Sequence, residues 1–578
     1  MKVCYIYIKK YKNLEDIGIS LDSHYIFEFD KGKKVLSVHD NTRYIACFYG
    51  DNIYSLAVIA GKNGVGKSNT LRFLLNAVVD GMGDKSDCEG ITVYKDGDRL
   101  LCSPEDTDIK VEYNGRPIES CPHKSCRTFF YTSHPIYNIR NWDILAQELG
   151  GMYNASDSVR CLYDQEKYVN DGKPKGTLSY YEYLLAHLSQ RSFKLLQFLI
   201  GYYRNDREIK GLTIPPYILI LVNSSGFYKY SHTNAIKSDK TYNRQIRDWN
   251  DVRNATLYDF FITALLNKTT NQNEYEKWQP LIDGWEKKVR NSQDENVIKL
   301  WEEWISGEKY QDELQRILTV VNTINQKCLF NKTTGHFFFY LRDNLDALSE
   351  FVSLIYNNRE FLAARYFDVA LSYDGGTDAM MSSGEEKLLY LLAEIYYSHI
   401  IEEKKFDNIK PPTLYVLDEA ELGLHPDWQR TFVSYLLAFF DYYQQRNIQI
   451  LLTTHSPILL SDILRQDIVL LNKEDGHTFV DEKNKETFGT NIFELYRDSF
   501  FLNDGLMGKL AEKKITEIVQ DIENRRNLEN LALRISMIGD PQIRNYLTMK
   551  YAAIDQNRAI SLLENQIEQI RRGDYGND

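Results

Sequence analysis

A glycine-rich loop follows an apolar run near the start of the sequence. The run Leu56–Ala60 precedes Gly61-Lys62-Asn63-Gly64-Val65-Gly66-Lys67-Ser68, and apolar residues at helical spacing come after the loop. Glycines in such a loop allow backbone N–H groups to curl around a phosphate, and the positive end of the following helix attracts the same anion. The pattern predicts a buried strand, a phosphate-binding loop and a helix, in that order.

The polar side chains of this loop predict a site for a nucleoside triphosphate and Mg²⁺. Lys67 would neutralise β- and γ-phosphate oxygens, and the Ser68 hydroxyl would bind Mg²⁺. The alternative is a glycine-rich turn with a solvated lysine, which leaves the strand before the loop and the helix after it unexplained. The predicted nucleotide ligands in this loop are Gly61, Asn63, Gly64, Gly66, Lys67, Ser68 and Asn69.

A second apolar run, Thr413–Leu417, ends in the adjacent carboxylates Asp418 and Glu419. At the end of a strand, Asp418 is expected to hold Mg²⁺ through water, and Glu419 to polarise the water that attacks a γ-phosphate. An acidic helix cap after a strand is the alternative interpretation. We therefore predict Asp418 as a metal ligand and Glu419 as the catalytic base.

Two further motifs could complete the same site. Ser382-Ser383-Gly384-Glu385 opens a predicted helix, whose first residues could donate hydrogen bonds to a γ-phosphate. An ordinary serine N-cap with acidic residues in the first turn is the alternative. His455 follows the apolar strand Ile448–Leu452 and could hold Glu419 and the attacking water in register. A histidine that only packs in a core or loop is the alternative for His455.

Composition limits the class of protein that carries these motifs. The chain has 578 residues, 43% of them apolar, and no apolar run approaches the ~18 to 20 residues needed to cross a bilayer. Eight cysteines lie between Cys4 and Cys328 without a dense disulfide framework, so reduced thiols and a cytoplasmic location are expected. The net charge of -12 disfavours attraction of the whole protein to nucleic acid.

The periodicity along the chain predicts four segments. Residues 1–145 carry the phosphate loop, and residues 346–490 carry the other motifs; both alternate strands with helices and are expected to form one α/β unit. Residues 146–345 between them show helical spacing, notably at Trp278–Trp285 and over 295–326, and predict a helical insertion. Residues 491–578 predict an amphipathic helical region that binds a partner or packs on its own protein.

The order of the motifs resembles the ABC-type ATPases of the structural-maintenance-of-chromosomes and recombination-repair group. Asp418–Pro426 resembles the extended Walker B motif and D-loop of that group, and Tyr11–Leu14 is similar to its N-terminal opening. The resemblance implies a P-loop ATPase head split by a helical insertion, hydrolysis of ATP with Mg²⁺, and a head-to-tail dimer. In that dimer the signature motif of one copy faces the P-loop of the other, and its residues here are Ser382, Ser383, Gly384 and Glu385.

A closer likeness lies toward the C-terminus. Thr487–Ile492, continued by Asp498–Phe501 and Gly508–Ala511, resembles the ATPases of Septu and retron-associated anti-phage systems, which act with a separate HNH nuclease. This resemblance implies a nucleotide-dependent switch or sensor subunit. The implied partners are a second copy of the chain, a nuclease, and nucleic acid or a reverse-transcriptase complex with RNA and DNA, with no membrane.

An ATPase that grips DNA ends directly during repair is the alternative function. It would use the cations of residues 237–247, which are interleaved with aromatic residues and could also be a solvated loop.

Two departures from the group are expected to matter. The Q-loop lacks a glutamine, with Ser133 or His134 in its place, and the roughly 120 residues after His455 lack a second acidic strand cluster, which predicts that any nuclease is on another chain.

Overall fold

The computed structural model describes most of the chain, which divides into two compact units, residues 1–495 and 496–578. The described residues are 1–79, 88–105, 108–121, 126–133, 152–155, 180–205, 209, 212–222, 251–267, 272–290, 296–306, 310–357, 367–376, 379–398, 413–443, 446–482, 485–498, 507–555 and 560. Within these ranges, no helix combines the length and apolar character required to cross a bilayer.

A seven-stranded sheet forms the centre of the first unit and is parallel except at one edge. Its order is β12 (Met152–Asn154), β11 (Arg127–Thr132), β17 (Thr413–Asp418), β18 (Ile448–Thr454), β5 (Ile53–Gly61), β19 (Ile468–Glu474) and β20 (His477–Val480). Strands β17 and β18 are buried along their whole lengths, as expected for inner strands of a parallel sheet. Because residues from both sides of the middle segment pair in this sheet, the predicted α/β class is confirmed.

The register of the central strands brings their carboxyl ends to one edge. Asp418 of β17 pairs with Thr453 of β18, and Thr453 pairs with Ile59 of β5. Helix α1 (Lys67–Val78) follows β5 and buries Phe73 and Leu74. Each such side chain contributes about 1.5–3 kcal/mol when fully buried, so α1 is firmly anchored beside the sheet.

Two smaller sheets accompany the N-terminal strands. A five-stranded sheet has the order β10 (Glu119–Ser120), β7 (Arg99–Glu105), β6 (Glu89–Asp96), β1 (Lys2–Tyr11) and β2 (Leu14–Ser20). A four-stranded sheet has the order β3 (Tyr25–Asp30), β4 (Val35–Asp40), β8 (Lys110–Tyr113) and β9 (Arg116–Pro117). Some buried residues of β1 pack against the seven-stranded sheet and α1, and others pack against the sheet that contains β3 and β4. The turn after β1 is therefore held close to α1.

The middle segment contains helices and also strands. Its helices are α2 (Tyr180–Tyr203), α3 (Val252–Asn267), α4 (Gln272–Arg290), α5 (Val297–Ile305) and α6 (Gln311–Lys327), and the periodicity read at Trp278–Trp285 lies in α4. A four-stranded sheet that the sequence did not indicate has the order β14 (Leu329–Asn331), β15 (His336–Tyr340), β13 (Tyr217–Val222) and β16 (Phe367–Ser372). Helix α7 (Leu345–Asn357) follows β15. The bounds of the four predicted segments stay a prediction.

Helix α8 (Ser383–Tyr396) joins this middle segment to the motifs that follow it. A buried ion pair connects α2 to α8, with Lys194 Nζ 2.8 Å from Glu394 Oε1. The Arg191 guanidinium lies 3.9 Å from the centre of the Tyr390 ring. Three further helices complete the first unit's C-terminal half: α9 (Pro426–Tyr442), α10 (Pro457–Leu460) and α11 (Ile492–Asp498, which extends into the second unit).

The second unit is helical where it is described. Its helices are α12 (Lys509–Glu523), α13 (Leu528–Ser536) and α14 (Pro541–Ala552). They share a small core that includes Ile518, Leu531 and Tyr551. The apolar spacing at Leu528–Ile535 predicted this helical character correctly, whereas the spacing over 563–570 lies outside the described residues.

Asp467, a buried carboxyl directly before β19, should make the stability of the fold depend on pH. Asp467 accepts a hydrogen bond of 2.8 Å from the Tyr49 hydroxyl, and burial raises the pKa of Asp467 from 3.8 to about 6. A raised pKa means that the folded chain binds the proton more tightly, so the free energy of unfolding falls as the pH rises from about 4 to about 6. The full loss corresponds to about 3 kcal/mol.

Asp467→Asn should therefore stabilise the chain at neutral and higher pH, because the amide remains an acceptor for Tyr49 without a buried charge. Urea unfolding of both chains at pH 4 and pH 8 checks this. The variant is expected to gain stability relative to the wild type only at pH 8. An equal difference at the two pH values would contradict it.

Candidate active site

The phosphate loop adopts a backbone that requires glycine. Gly64 and Gly66 have φ of +78° and +103°, and a Cβ atom on Gly66 would lie 2.6 Å from Leu14 Cδ2. Gly66 is the N-cap of α1, which begins without a side-chain cap. The N–H groups of the first helical turn are therefore available to an anion.

Lys67 is buried at the start of α1, with 4% of its surface exposed. Its Nζ donates to the carbonyl oxygens of Gly61 at 3.1 Å and Lys62 at 3.3 Å, and lies 3.5 Å from Glu419 Oε1. Burial lowers the pKa of Lys67, while the neighbouring Glu419 carboxylate opposes that shift. The loop thus holds its cation in a fixed position next to the predicted base.

Glu419 and His455 meet at this cation. His455 Nε2 lies 2.5 Å from Glu419 Oε1 and 2.7 Å from Lys67 Nζ. The tautomer decides whether this nitrogen donates to Glu419 or accepts from Lys67. Glu419 has φ of +49°, which is uncommon for a residue other than glycine, and its N–H donates to Thr453 O at 3.1 Å. Such a constrained backbone is common at functional sites.

Asp418 is held at the end of β17 by hydroxyl groups of both neighbouring strands. Thr453 Oγ1 donates to Asp418 Oδ1 at 2.6 Å, and Thr132 Oγ1 donates to Asp418 Oδ2 at 2.9 Å. These two hydrogen bonds fix the orientation of the Asp418 carboxylate at the strand end. The Asp418 carboxylate and the Ser68 hydroxyl are hard oxygen donors, which are the ligands that suit Mg²⁺.

A cavity of about 490 Å³ lies over the loop, within the size range of small-molecule sites. Its lining residues are Lys12, Asn13, Asn63, Gly64, Gly66, Lys67, Ser68, Asn69, Glu419, His455 and Lys473. Three lysines face one carboxylate there, which suits a polyphosphate. Eight of the predicted site residues are brought together, whereas Gly61 and Asp418 do not line this cavity.

The predicted signature residues lie elsewhere. Ser382 caps α8, and Glu385 completes a capping box by accepting from the Ser382 N–H at 2.9 Å. Ser382 and Ser383 are exposed, Gly384 and Glu385 are half-buried, and none of these four residues lines the cavity. The capping geometry anticipated as the alternative is therefore present, and it leaves the two serines accessible.

Comparison with known proteins places the chain in a family. The model of the AAA ATPase domain family matches residues 1–460. The chain belongs to this ATPase family. Membership establishes an ATPase domain at the level of the family, and this agrees with the geometry of the loop.

Relatives of this chain include a retron ATPase and a Septu protein, as the resemblance at the C-terminus predicted. The Retron Vc95 probable ATPase of Vibrio cholerae serotype O1 biovar El Tor is 22% identical over 68% of this chain and 74% of its own length. The Septu protein PtuA of Bacillus mycoides (strain KBAB4) is 28% identical over 24% of this chain and only 18% of its own length. The predicted relation to retron and Septu ATPases is confirmed.

Among solved structures, the SmcHead bound to the C-winged helix domain of ScpA is similar at 11% identity. The match covers 83% of this chain and 97% of that chain, with a TM-score of 0.24.

The candidate site also contains residues that the motifs did not reveal. Thr132 and Thr453 orient Asp418, and Glu421 is a buried carboxyl that accepts from the Thr454 hydroxyl. Burial raises the pKa of Glu421 to about 7. A hydroxyl residue at the end of each strand beside Asp418 was the signal in the sequence, but only the strand register shows which carboxylate each one meets.

At the position expected for the Q-loop, Ser133 follows β11. Its N–H donates to Asp418 O at 3.2 Å, and its hydroxyl accepts from Lys387 Nζ at 2.9 Å. Lys387 lies on α8 and also donates to Leu422 O. Ser133 thus connects the end of β17 to α8, while His134 and the basic residues of 237–247 lie outside the described residues.

Proposed function

We propose that this chain is the nucleotide-dependent switch subunit of a cytoplasmic anti-phage defence complex, in which ATP hydrolysis controls a separate HNH-type nuclease. The C-terminal resemblance to Septu and retron-associated ATPases supports the nuclease partner, and the similarity to a retron probable ATPase and a Septu protein agrees with it. Two chains act together, each supplying half of both ATP sites.

The exposure of the signature residues is the observation that supports the proposed dimer. The signature residues Ser382 and Ser383 are exposed and lie outside the cavity that holds Lys67 and Glu419 of the same chain. A helix start with accessible serines can donate to an anion, and a second copy is the partner that would present one. We therefore assign each ATP to the P-loop of one chain and to the signature helix of its partner.

The chemistry follows from the cluster at the loop. Lys67 and the N–H groups of α1 bind and orient the phosphates, Glu419 accepts a proton from the attacking water, and His455 keeps Glu419 in position. Ser68 and Asp418 would hold Mg²⁺, which would neutralise charge on the phosphate oxygens when bound. Glu419 is buried, and the low dielectric around it strengthens these electrostatic interactions.

The second unit is our proposed docking region for the nuclease. It exposes large apolar side chains, with Met537 72% and Met549 76% accessible. Methionine adapts to irregular partner surfaces, and grouped exposed apolar residues commonly mark interaction sites. Loosening of the dimer after hydrolysis would then alter how the nuclease is held.

Mixing two inactive variants tests the shared site. Lys67→Met removes the P-loop cation, and Gly384→Asp places a carboxylate at the signature helix without a steric clash, because the nearest atom to a Cβ there is 4.0 Å away. Each variant alone should be inactive, since both of its sites are defective. A mixed dimer keeps one intact site, so an equal mixture should recover about a quarter of wild-type ATPase activity.

The control is the double variant with both substitutions on one chain, mixed with the wild type. It leaves no intact site in the mixed dimer, because each site then combines one normal and one defective half. No recovery in the first mixture would show that each chain completes its own site and would refute the shared arrangement.

A further inference from the structure

We propose that Glu421, Gln429, Thr454 and Ser456 form a hydrogen-bonded bridge that positions His455 from the turn after β17. This bridge rests on the proposed ATPase function and adds positioning residues to it. The turn comprises residues 419–424 and begins at the predicted base. The bridge connects that turn to both chain neighbours of His455.

Thr454 forms the first half of the bridge. It is the last residue of β18, is fully buried, and donates its hydroxyl proton to Glu421 Oε1. The same hydroxyl oxygen accepts from the Ser456 N–H at 2.8 Å. Because side chains alternate along a strand, Thr453 points the other way, to Asp418. The two threonines therefore tie one strand end to two different carboxylates.

Ser456 and Gln429 form the second half. Ser456 Oγ donates to Gln429 Oε1 at 2.6 Å, and Gln429 Nε2 donates to Leu424 O at 2.9 Å. Gln429 lies in the first turn of α9, and its own N–H donates to His425 O at 3.0 Å. Both ends of the bridge thus reach the same turn, one at Glu421 and one at Leu424.

The bridge should fix the position of the His455 ring. Its two neighbours in the chain are fixed to the turn, and its Nε2 lies 2.5 Å from Glu419 Oε1. Turnover depends steeply on such distances, because a misplacement of about 1 Å can cost roughly 100-fold in rate. ATP binding depends mainly on the loop and Lys67, which the bridge does not touch. Breaking the bridge should therefore lower kcat without weakening ATP binding.

Thr454→Val is the direct test, because it removes the hydroxyl at nearly equal volume, and Thr454→Ser is its matched control. Steady-state ATP hydrolysis by the full chain with Mg²⁺ gives kcat and KM. Thr454→Val is expected to lower kcat by roughly 10- to 100-fold with KM changed less than about twofold. Thr454→Ser should keep kcat within about threefold of the wild type, because the bonding hydroxyl remains.

Gln429→Met tests the other half and avoids leaving a buried carboxyl without its partner. Gln429→Met should also lower kcat and leave KM unchanged. In the double variant Thr454→Val/Gln429→Met, the fold-decrease in kcat should be smaller than the product of the two single decreases, because both substitutions act on His455. Melting temperatures identify any chain that fails to fold, in which case Gln429→Met decides the matter.

Three outcomes would overturn the bridge: wild-type kcat in Thr454→Val or Gln429→Met, equal losses in Thr454→Val and Thr454→Ser, or a rise in KM at constant kcat. If the wild-type chain itself hydrolyses no ATP, the proposed function fails instead, so the two failures are distinguishable.

Discussion

Glu419→Gln should lower the kcat of ATP hydrolysis by roughly 10²- to 10⁴-fold while ATP still binds. The amide keeps the size of the side chain but cannot accept the proton of the attacking water. Lys67 and the N–H groups of α1, which bind phosphate, are unchanged by the substitution. Since hydrolysis is what loosens the proposed dimer, the variant should also accumulate as an ATP-bound dimer.

Phosphate release measures the first effect, and size-exclusion chromatography with ATP measures the second. Glu474→Gln is the matched control, because Glu474 is an exposed carboxylate at the end of β19 beside the same sheet edge and does not line the cavity. It should hydrolyse ATP at the wild-type rate. Turnover by Glu419→Gln equal to that of the control would remove Glu419 from its role as base. A nuclease bound to the ATP-bound Glu419→Gln dimer should stay in one activity state, because hydrolysis no longer loosens that dimer.

The strand ends explain why much of this site could be predicted from the sequence. A loop after β5 and carboxylates after β17 belong to inner strands of a parallel sheet, and such strands are continuous apolar runs that are easy to recognise. The carboxyl ends of neighbouring parallel strands meet at one edge. Motifs far apart in the chain are therefore close in space whenever their strands are adjacent.

The side-chain network around those motifs could not be predicted in the same way. Thr132 is 286 residues from Asp418 and Thr453 is 35 residues away, and a slip of one residue in either pairing would turn the hydroxyl to the other face of the sheet. Lys387 reaches Ser133 across 254 residues. Such contacts are set by tertiary packing and have no local period.

The middle segment shows a second limit of sequence patterns. Strands β13 and β15 have six and five residues, and short apolar runs of that kind are compatible with a strand or with part of a buried helix. Their antiparallel pairing joins Ile218 to Phe339, which are distant in sequence. The longer helical periodicity read at Trp278–Trp285 and over 295–326 does coincide with α4, α5 and α6.

Lys67→Met should abolish the stabilisation of the chain by ATP. A ligand that binds only the folded state at 100 times its Kd raises the free energy of unfolding by about 2.7 kcal/mol. Lys67 is the buried cation of the loop, where it contacts the carbonyl oxygens of Gly61 and Lys62 as well as Glu419 and His455. Without that charge, the phosphates would face Glu419 uncompensated, and binding should weaken by a factor of 100 or more, at about 1.4 kcal/mol for each factor of ten.

The melting temperature with and without ATP and Mg²⁺ measures this effect. Lys62→Met is the matched control, because it makes the same substitution at an exposed lysine of the same loop, outside the cavity lining. The control should keep the wild-type shift, and Lys67→Met should show none at the same ATP concentration. Because methionine removes a charge whose burial is unfavourable, as the lowered pKa of Lys67 indicates, the variant without ATP is expected to remain folded. A full ATP-dependent shift in Lys67→Met would show that the phosphates bind elsewhere.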